Sequence, residues 1–210
     1  MTTILITGFG PFPGAPFNPT GPRVTRLARL RRPALANVTI VPHIFPTSYA
    51  AVDRDLPKLI AKYKPDALLM FGLATRARTL RIETRARNAL ALLPDVGGKS
   101  LRRGAITHSQ MAAMAMPAPT RRLLASLRGE RAVLSRDAGR YLCNYLCWRS
   151  AEASAKTKGP RLAAFIHVPL IIRNARRPGK RRRFTLDDLV RAGGKLLAAV
   201  VCHGSARKHP

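Results

Sequence analysis

The 210-residue chain is long enough for one fairly large domain with a sizeable core, and residues 1–210 read as a single domain. Its 38 Lys+Arg against 10 Asp+Glu give a formal charge of +28, which attracts polyanions through counterion release and carries no information about fold. No apolar run approaches the roughly 18–20 residues of a membrane span, MTTILITGF lacks the charged start of a signal peptide, and three cysteines argue against a secreted disulfide framework, so a reduced cytoplasm is the expected setting.

TILIT predicts a first strand near Ile4–Thr7, and it runs at once into the Gly/Pro-rich loop GFGPFPGAPFNPTGP. RVTRLARLRR has helical spacing, with Pro22 at a plausible first turn. NVTIVPHIF predicts a strand near Val38–Ile44. DALLMFGL, an unbroken apolar run after KPD, has the pattern of a strand buried on both faces, predicted near Ala67–Phe71. RAVLS and RLAAFIHVPL add strands near Ala132–Ser135 and Ala163–Val168. TLDDLVRAGGKLLAAVV predicts a closing helix with Thr185 as N-cap and Asp188 three residues on, an aspartate version of a capping box; Gly193 and Gly194 weaken its middle. Strands alternating with helices imply the α/β class, a three-layer α/β/α sandwich around a twisted, mostly parallel sheet. The opening loop, PDVGGKSLRRGAITHSQMAAMAMPAPT and RNARRPGKRRR carry the weakest order signals, and loops of this kind often carry function.

Residues able to do chemistry are few because acids are few. RYLCNYLCWRS puts Cys143 and Cys147 on one helical face, as core filler, a metal clip, a redox pair or a nucleophile with its neighbour. The C-x₃-C spacing excludes a thioredoxin-type pair and supplies only half of a structural zinc site. Cys143 falls in the first turns of a helix, where the N-terminus favours a thiolate. His167 lies in the apolar strand AAFIHVPL, and Glu83 stands alone among arginines in RTLRIETRARN. A thiolate, a histidine to shuttle its proton and a carboxylate to orient that histidine form one of the acyl-transfer sets, though spacing alone does not select these three. Sites in open sheets form at the carboxyl ends of strands, so Phe9, Cys143 and His167 should converge. Cys202, His43, His108, His203 and His209 carry no such signal.

ILITGFGPFPGAPFNPT resembles the opening of the pyroglutamyl peptidase I (pyrrolidone carboxyl peptidase) family, a strand followed by T-G-F-x-P-F-G-G and N-P-S. IETRARN is similar to that family's P-E-R-x-A-x-N, AGRYLCNYLCW to its A-G-x-[FY]-[VL]-C-N, and AAFIHVPLI to its G-F-I-H-[VI]-P. The four blocks come in family order from residue 4 to the closing helix. The resemblance implies a thiol exopeptidase that removes N-terminal pyroglutamate from blocked peptides, with Cys143 as nucleophile, His167 as its base and Glu83 as the orienting carboxylate. It implies no metal or cofactor, a cytosolic setting, and assembly as a homo-oligomer, dimer or tetramer. Phe9 and Phe12 fall where the family's aromatics line the pyroglutamate pocket, and Leu73, Tyr141 and Leu142 occupy further substrate-side positions.

Two segments depart from the family pattern. GLATRAR stands where the family reads G-Q-A-G-G-R, with Leu73 in the glutamine's place. ALALLPDVGG lacks the arginine that the family carries about ten residues beyond the glutamate, and offers Leu92 and Leu93. Arg78, Arg85 and Arg87 are the candidates to replace it, and the altered segment predicts weak or absent cleavage of standard pyroglutamyl substrates. The rival reading is a degenerate relative that binds polyanions through the overall charge and the block Arg173–Arg183, although no nucleic-acid-binding signature is visible.

Overall fold

A computed structural model describes residues 2–12, 14–101, 104–172 and 183–206, so most of the basic block 173–183, and His209, lie outside the described residues. In chain order the elements are β1 (Thr2–Phe9), α1 (Thr20–Ala28), a 3₁₀ turn (Pro33–Leu35), β2 (Val38–Phe45), α2 (Tyr49–Tyr63), β3 (Ala67–Leu73), β4 (Leu80–Glu83), β5 (Arg85–Arg87), β6 (Ala113–Ala115), α3 (Thr120–Ser126), β7 (Ala132–Ser135), α4 (Leu142–Ser154), β8 (Leu162–Val168) and α5 (Leu186–Ala206). Six strands form one sheet in the order β2-β1-β3-β8-β4-β7. β1, β2, β3 and β8 run parallel; β4 pairs antiparallel with β8 and parallel with β7. β5 and β6 pair separately.

Successive strand residues point to opposite faces, and the sheet buries both. Ile4, Ile6, Leu69, Phe71, Ile82 and Ile166 face α1, α3 and α5, while Leu5, Leu68, Met70 and Phe165 face α2 and α4. This is the three-layer sandwich. All seven residues of β3 are buried, as an apolar run covered on both faces requires.

The five strands predicted from sequence are all in the sheet, with ends shifted by up to two residues. β4 is not among them. LRIE is four residues long and flanked by polar residues, so no run of hydrophobic side chains announces it. The capping box of α5 forms: the Asp188 N–H donates to Thr185 Oγ1 at 3.1 Å, and the Thr185 N–H donates to Asp188 Oδ2 at 3.0 Å. Gly193 and Gly194, poor helix formers, have a packing reason. A Cβ on Gly193 would lie 2.7 Å from Leu27 Cδ1, and one on Gly194 would lie 3.0 Å from Leu30 Cδ2. The two glycines bring α5 against the end of α1, and that contact outweighs local propensity.

Candidate active site

Two adjacent strands of opposite direction bring His167 and Glu83 together. In the β4–β8 pair Arg81 stands opposite His167, so Glu83, two residues along on the same face, reaches the imidazole. His167 Nδ1 lies 2.8 Å from Glu83 Oε1, and both side chains are buried. A proton on Nδ1 bonded to the carboxylate fixes the ring's orientation and leaves Nε2 for a reacting group. Burial by itself would push His167 down. The facing Cys143 sulfur, as a charge and a hydrogen-bond partner, and the Glu83 carboxylate outweigh burial and raise the imidazole to about 9.

Cys143 is the second residue of α4. Gly139, at φ 82°, takes the left-handed conformation that turns the chain toward the helix, a geometry that suits glycine. Neither a capping side chain nor an acidic residue occupies the first turn of α4, so its N–H groups leave an unopposed positive field at the thiol. Cys147, one turn on, is different in kind: it is fully buried, and that burial, followed by the nearby Glu83 and Cys143 charges, pushes its thiol well up.

Two residues that sequence reasoning passed over complete the geometry. Gly72 pairs with His167 across β3 and β8, and a Cβ at that position would lie 2.7 Å from Cys143 Sγ and 2.6 Å from Phe165 Cζ. The missing side chain is the space into which the sulfur fits. Its only sequence signal is a single glycine inside the apolar run DALLMFGL. Asn144, fully buried, clamps the chain that follows Glu83: its Oδ1 accepts from the Arg87 N–H at 2.9 Å, and its Nδ2 donates to the Arg87 and Ala89 carbonyls at 2.8 and 3.0 Å. The residue after the cysteine thus ties α4 to the segment leaving β4 and β5.

The five residues assigned to substrate contact distribute unequally. Phe9 is 3% exposed, with its ring 6.0 Å from that of Phe45, in the apolar cluster against which Cys143 packs. Phe12 is half-buried on a tight turn bridged to Ala15. Leu73 and Leu142 are buried at the end of β3 and the start of α4. Tyr141 is half-buried, donates its hydroxyl to the Pro94 carbonyl at 2.9 Å, and sets its ring edge-on to Tyr49. In the altered segment, Leu92 and Leu93 are 68% and 54% exposed. Arg87 pairs with Asp137, and Arg85 donates to the Arg136 carbonyl at 2.9 Å, so both are anchored to the loop between β7 and α4. Among the described residues no three His, Cys, Asp or Glu side chains gather so as to hold a metal ion, and no helix is long and apolar enough to cross a membrane.

Comparison with known proteins agrees with this geometry. The model of the pyroglutamyl peptidase family matches residues 2–192. The chain belongs to the pyroglutamyl peptidase family. It is 33% identical over 172 residues to the pyrrolidone-carboxylate peptidase of Pyrococcus furiosus, covering 80% of this chain and 81% of that protein. The solved structure of the pyrrolidone carboxyl peptidase from Thermococcus litoralis superposes with a TM-score of 0.88 at 26% identity, over 99% of this chain and 96% of that one. Pyroglutamyl peptidase I of Bacillus amyloliquefaciens gives 0.84 at 25% identity, over 97% and 98%. For this member of the pyroglutamyl peptidase family, Gly72→Ala is a direct test of the packing at the thiol. The added methyl must displace either the sulfur or Phe165, and a shift of about 1 Å in a reacting group costs about 10² in rate. The expected result is a 10²-fold slower alkylation of Cys143 in a folded protein, read by mass spectrometry beside a circular dichroism spectrum.

Proposed function

We propose that this chain is a cysteine exopeptidase that removes N-terminal pyroglutamate from peptides, with Cys143 as nucleophile, His167 as acid and base, and Glu83 as the carboxylate that orients His167. One observation carries the reading: the Cys143 sulfur, seated against Gly72, faces an imidazole whose other nitrogen is bound to a buried carboxylate. The thiolate would attack the carbonyl carbon of the pyroglutamyl residue, forming an S–C bond and placing the negative charge on oxygen. The N–H groups at the start of α4 would receive that charge. Collapse breaks the C–N bond, and protonated His167 gives its proton to the leaving amine. Water then attacks the thioester, His167 takes the water's proton, and the sulfur departs as thiolate.

Phe9, Phe12, Leu73, Tyr141 and Leu142 are proposed to form the substrate side, where apolar surface suits an uncharged lactam ring. The cytoplasmic setting and a homo-oligomeric assembly, dimer or tetramer, belong to the same reading and rest on the family resemblance. Light scattering on the eluting protein reads the assembly.

The reading is tested with a chromogenic pyroglutamyl amide, run with and without a thiol alkylator. Cleavage is expected, abolished by alkylation, and slower by about 10²–10³ than the usual enzyme range of about 10⁴–10⁸ M⁻¹s⁻¹ in kcat/KM. The reason is that Arg85 and Arg87 are committed elsewhere and exposed leucines occupy the segment in which the family carries its arginine. Activity should also fall as pH rises through about 9, where His167 loses the proton it must donate. No hydrolysis of any N-terminally blocked amide by protein that still alkylates at Cys143 would refute the assignment. Full family-level efficiency would refute the predicted slowing.

A further inference from the structure

α2 and α4 pack on the face of the sheet that holds Cys143, and a groove of about 380 Å³ opens between them. Val52, Leu56, Pro57 and Ile60 from α2 and Ala153 from α4 give it an apolar floor. From Val52 to Ala61 this lining follows α2 for about 14 Å, at about 1.5 Å per residue, a span matched by an extended aliphatic chain of about ten carbons. By the same measure Ala153 lies about 15 Å along α4 from Cys143, so the groove is separate from the peptidase centre.

The charged groups around the groove fall into two sets. Asp53 accepts from the Tyr145 hydroxyl at 2.7 Å and pairs with Arg149 at 3.2 Å. Glu152 pairs with Arg149 at 3.0 Å and accepts from the Trp148 indole N–H at 2.8 Å. Both acids are thus committed to the protein's own donors. Lys156 and Lys158, on the turn that leaves α4, form no ion pair with a described acid. A close approach fixes that turn: the Gly159 N–H donates to the Lys156 carbonyl at 2.8 Å, and a Cβ on Gly159 would run into the Ala153 carbonyl. Glycine lets the turn fold back on the helix end, which holds the two lysines at the groove. An apolar trough of this volume with unpaired cations at its rim is complementary to an amphiphile with an anionic head.

We infer that this groove binds a medium-chain aliphatic carboxylate, with the chain along Val52, Leu56 and Ile60 and the carboxylate between Lys156 and Lys158. The inference stands apart from the peptidase reading, since none of these residues is assigned to that site. Trp148, the chain's one tryptophan, reports on the groove through its bond to Glu152.

Titration of the full chain with sodium decanoate at physiological ionic strength, followed by calorimetry and by Trp148 emission, is the test. Saturable one-to-one binding is expected, with a parallel change in emission. Octanoate should bind more weakly, by up to about fourfold for each methylene lost. Decyltrimethylammonium, with a similar tail and a cationic head, should bind at least about tenfold more weakly than decanoate. Lys156→Glu with Lys158→Glu should weaken decanoate at least about tenfold, since repulsion replaces attraction at the head. Arg121→Glu with Arg122→Glu makes the same charge change on α3, on the other face of the sheet, and should leave affinity within about twofold. All four side chains are exposed, and matching thermal midpoints confirm folded protein. Non-saturable binding, or an equal loss in both double variants, would assign decanoate to the diffuse charge of +28 and overturn the site. Equal affinity for octanoate and decanoate, or binding that leaves Trp148 emission unchanged, would overturn it as well.

Discussion

Cys143→Ser is expected to abolish turnover, lowering kcat by at least about 10⁴-fold. A serine hydroxyl is far less acidic than a thiol, so the imidazole that protonates and deprotonates sulfur here is poorly matched to it. The substitution changes little else. Cys143 is half-buried at a helix start, and the smaller oxygen fits the space left by Gly72, so stability should stay within about 1 kcal/mol of the parent. Iodoacetamide provides the companion measurement. At neutral pH it should label Cys143 first, because its sulfur is only half-buried and faces His167, which can take its proton. Cys202, exposed near the end of α5, should follow; Cys147, fully buried with its thiol pushed up, should resist until the protein unfolds. Labelling of Cys202 ahead of Cys143, or unimpaired turnover by the serine variant, would remove Cys143 from the mechanism.

Glu83→Gln should lower kcat by about 10³–10⁴ while keeping the fold. The side chain is 0% exposed, and its Oε1 holds His167 Nδ1 at 2.8 Å. Glutamine has the same shape, so the loss is of charge and of the fixed acceptor, not of packing. Without that carboxylate His167 keeps less of its raised proton affinity, and the alkaline fall in activity should move to lower pH. Stability should respond with a definite sign. His167 titrates higher folded, at about 9, than the unfolded value of about 6.5. Its contribution is therefore fully present below about pH 6.5 and lost as pH rises through 9. The stability gap between parent and Glu83→Gln should be widest near pH 6 and shrink toward pH 9, as urea unfolding at several pH values would show. A gap that widens with pH would mean that the pair does not share the proton as described.

The strands legible in the sequence are those whose pattern is set locally. β3 and β8 are continuous apolar runs because both faces are covered, and such runs stand out without any knowledge of their neighbours. The capping box of α5 was equally legible, since Thr185 and Asp188 satisfy each other across three residues. β4 was not, because its four residues become a strand only when β8 and β7 supply hydrogen bonds on either side. α2 carries a helical spacing in Val52, Leu56 and Ile60, but Pro57 sits inside it and masks that signal. Of the three arginines that are candidates to replace a missing one, contacts distant in sequence send Arg85 and Arg87 to the β7–α4 loop.

The chain by itself determined the class of fold and the residue types of the candidate site, because hydrophobic period and motif are properties of neighbouring residues. Cys143, His167 and Glu83 could be named from such blocks. Only the tertiary structure decided that they meet. The 2.8 Å contact between Glu83 and His167 exists because β4 runs antiparallel to β8, and strand direction is set by how the whole sheet closes its hydrogen bonds. Gly72 matters because a sulfur from α4 arrives where its side chain would be, and Asn144 matters because α4 passes the chain leaving β5.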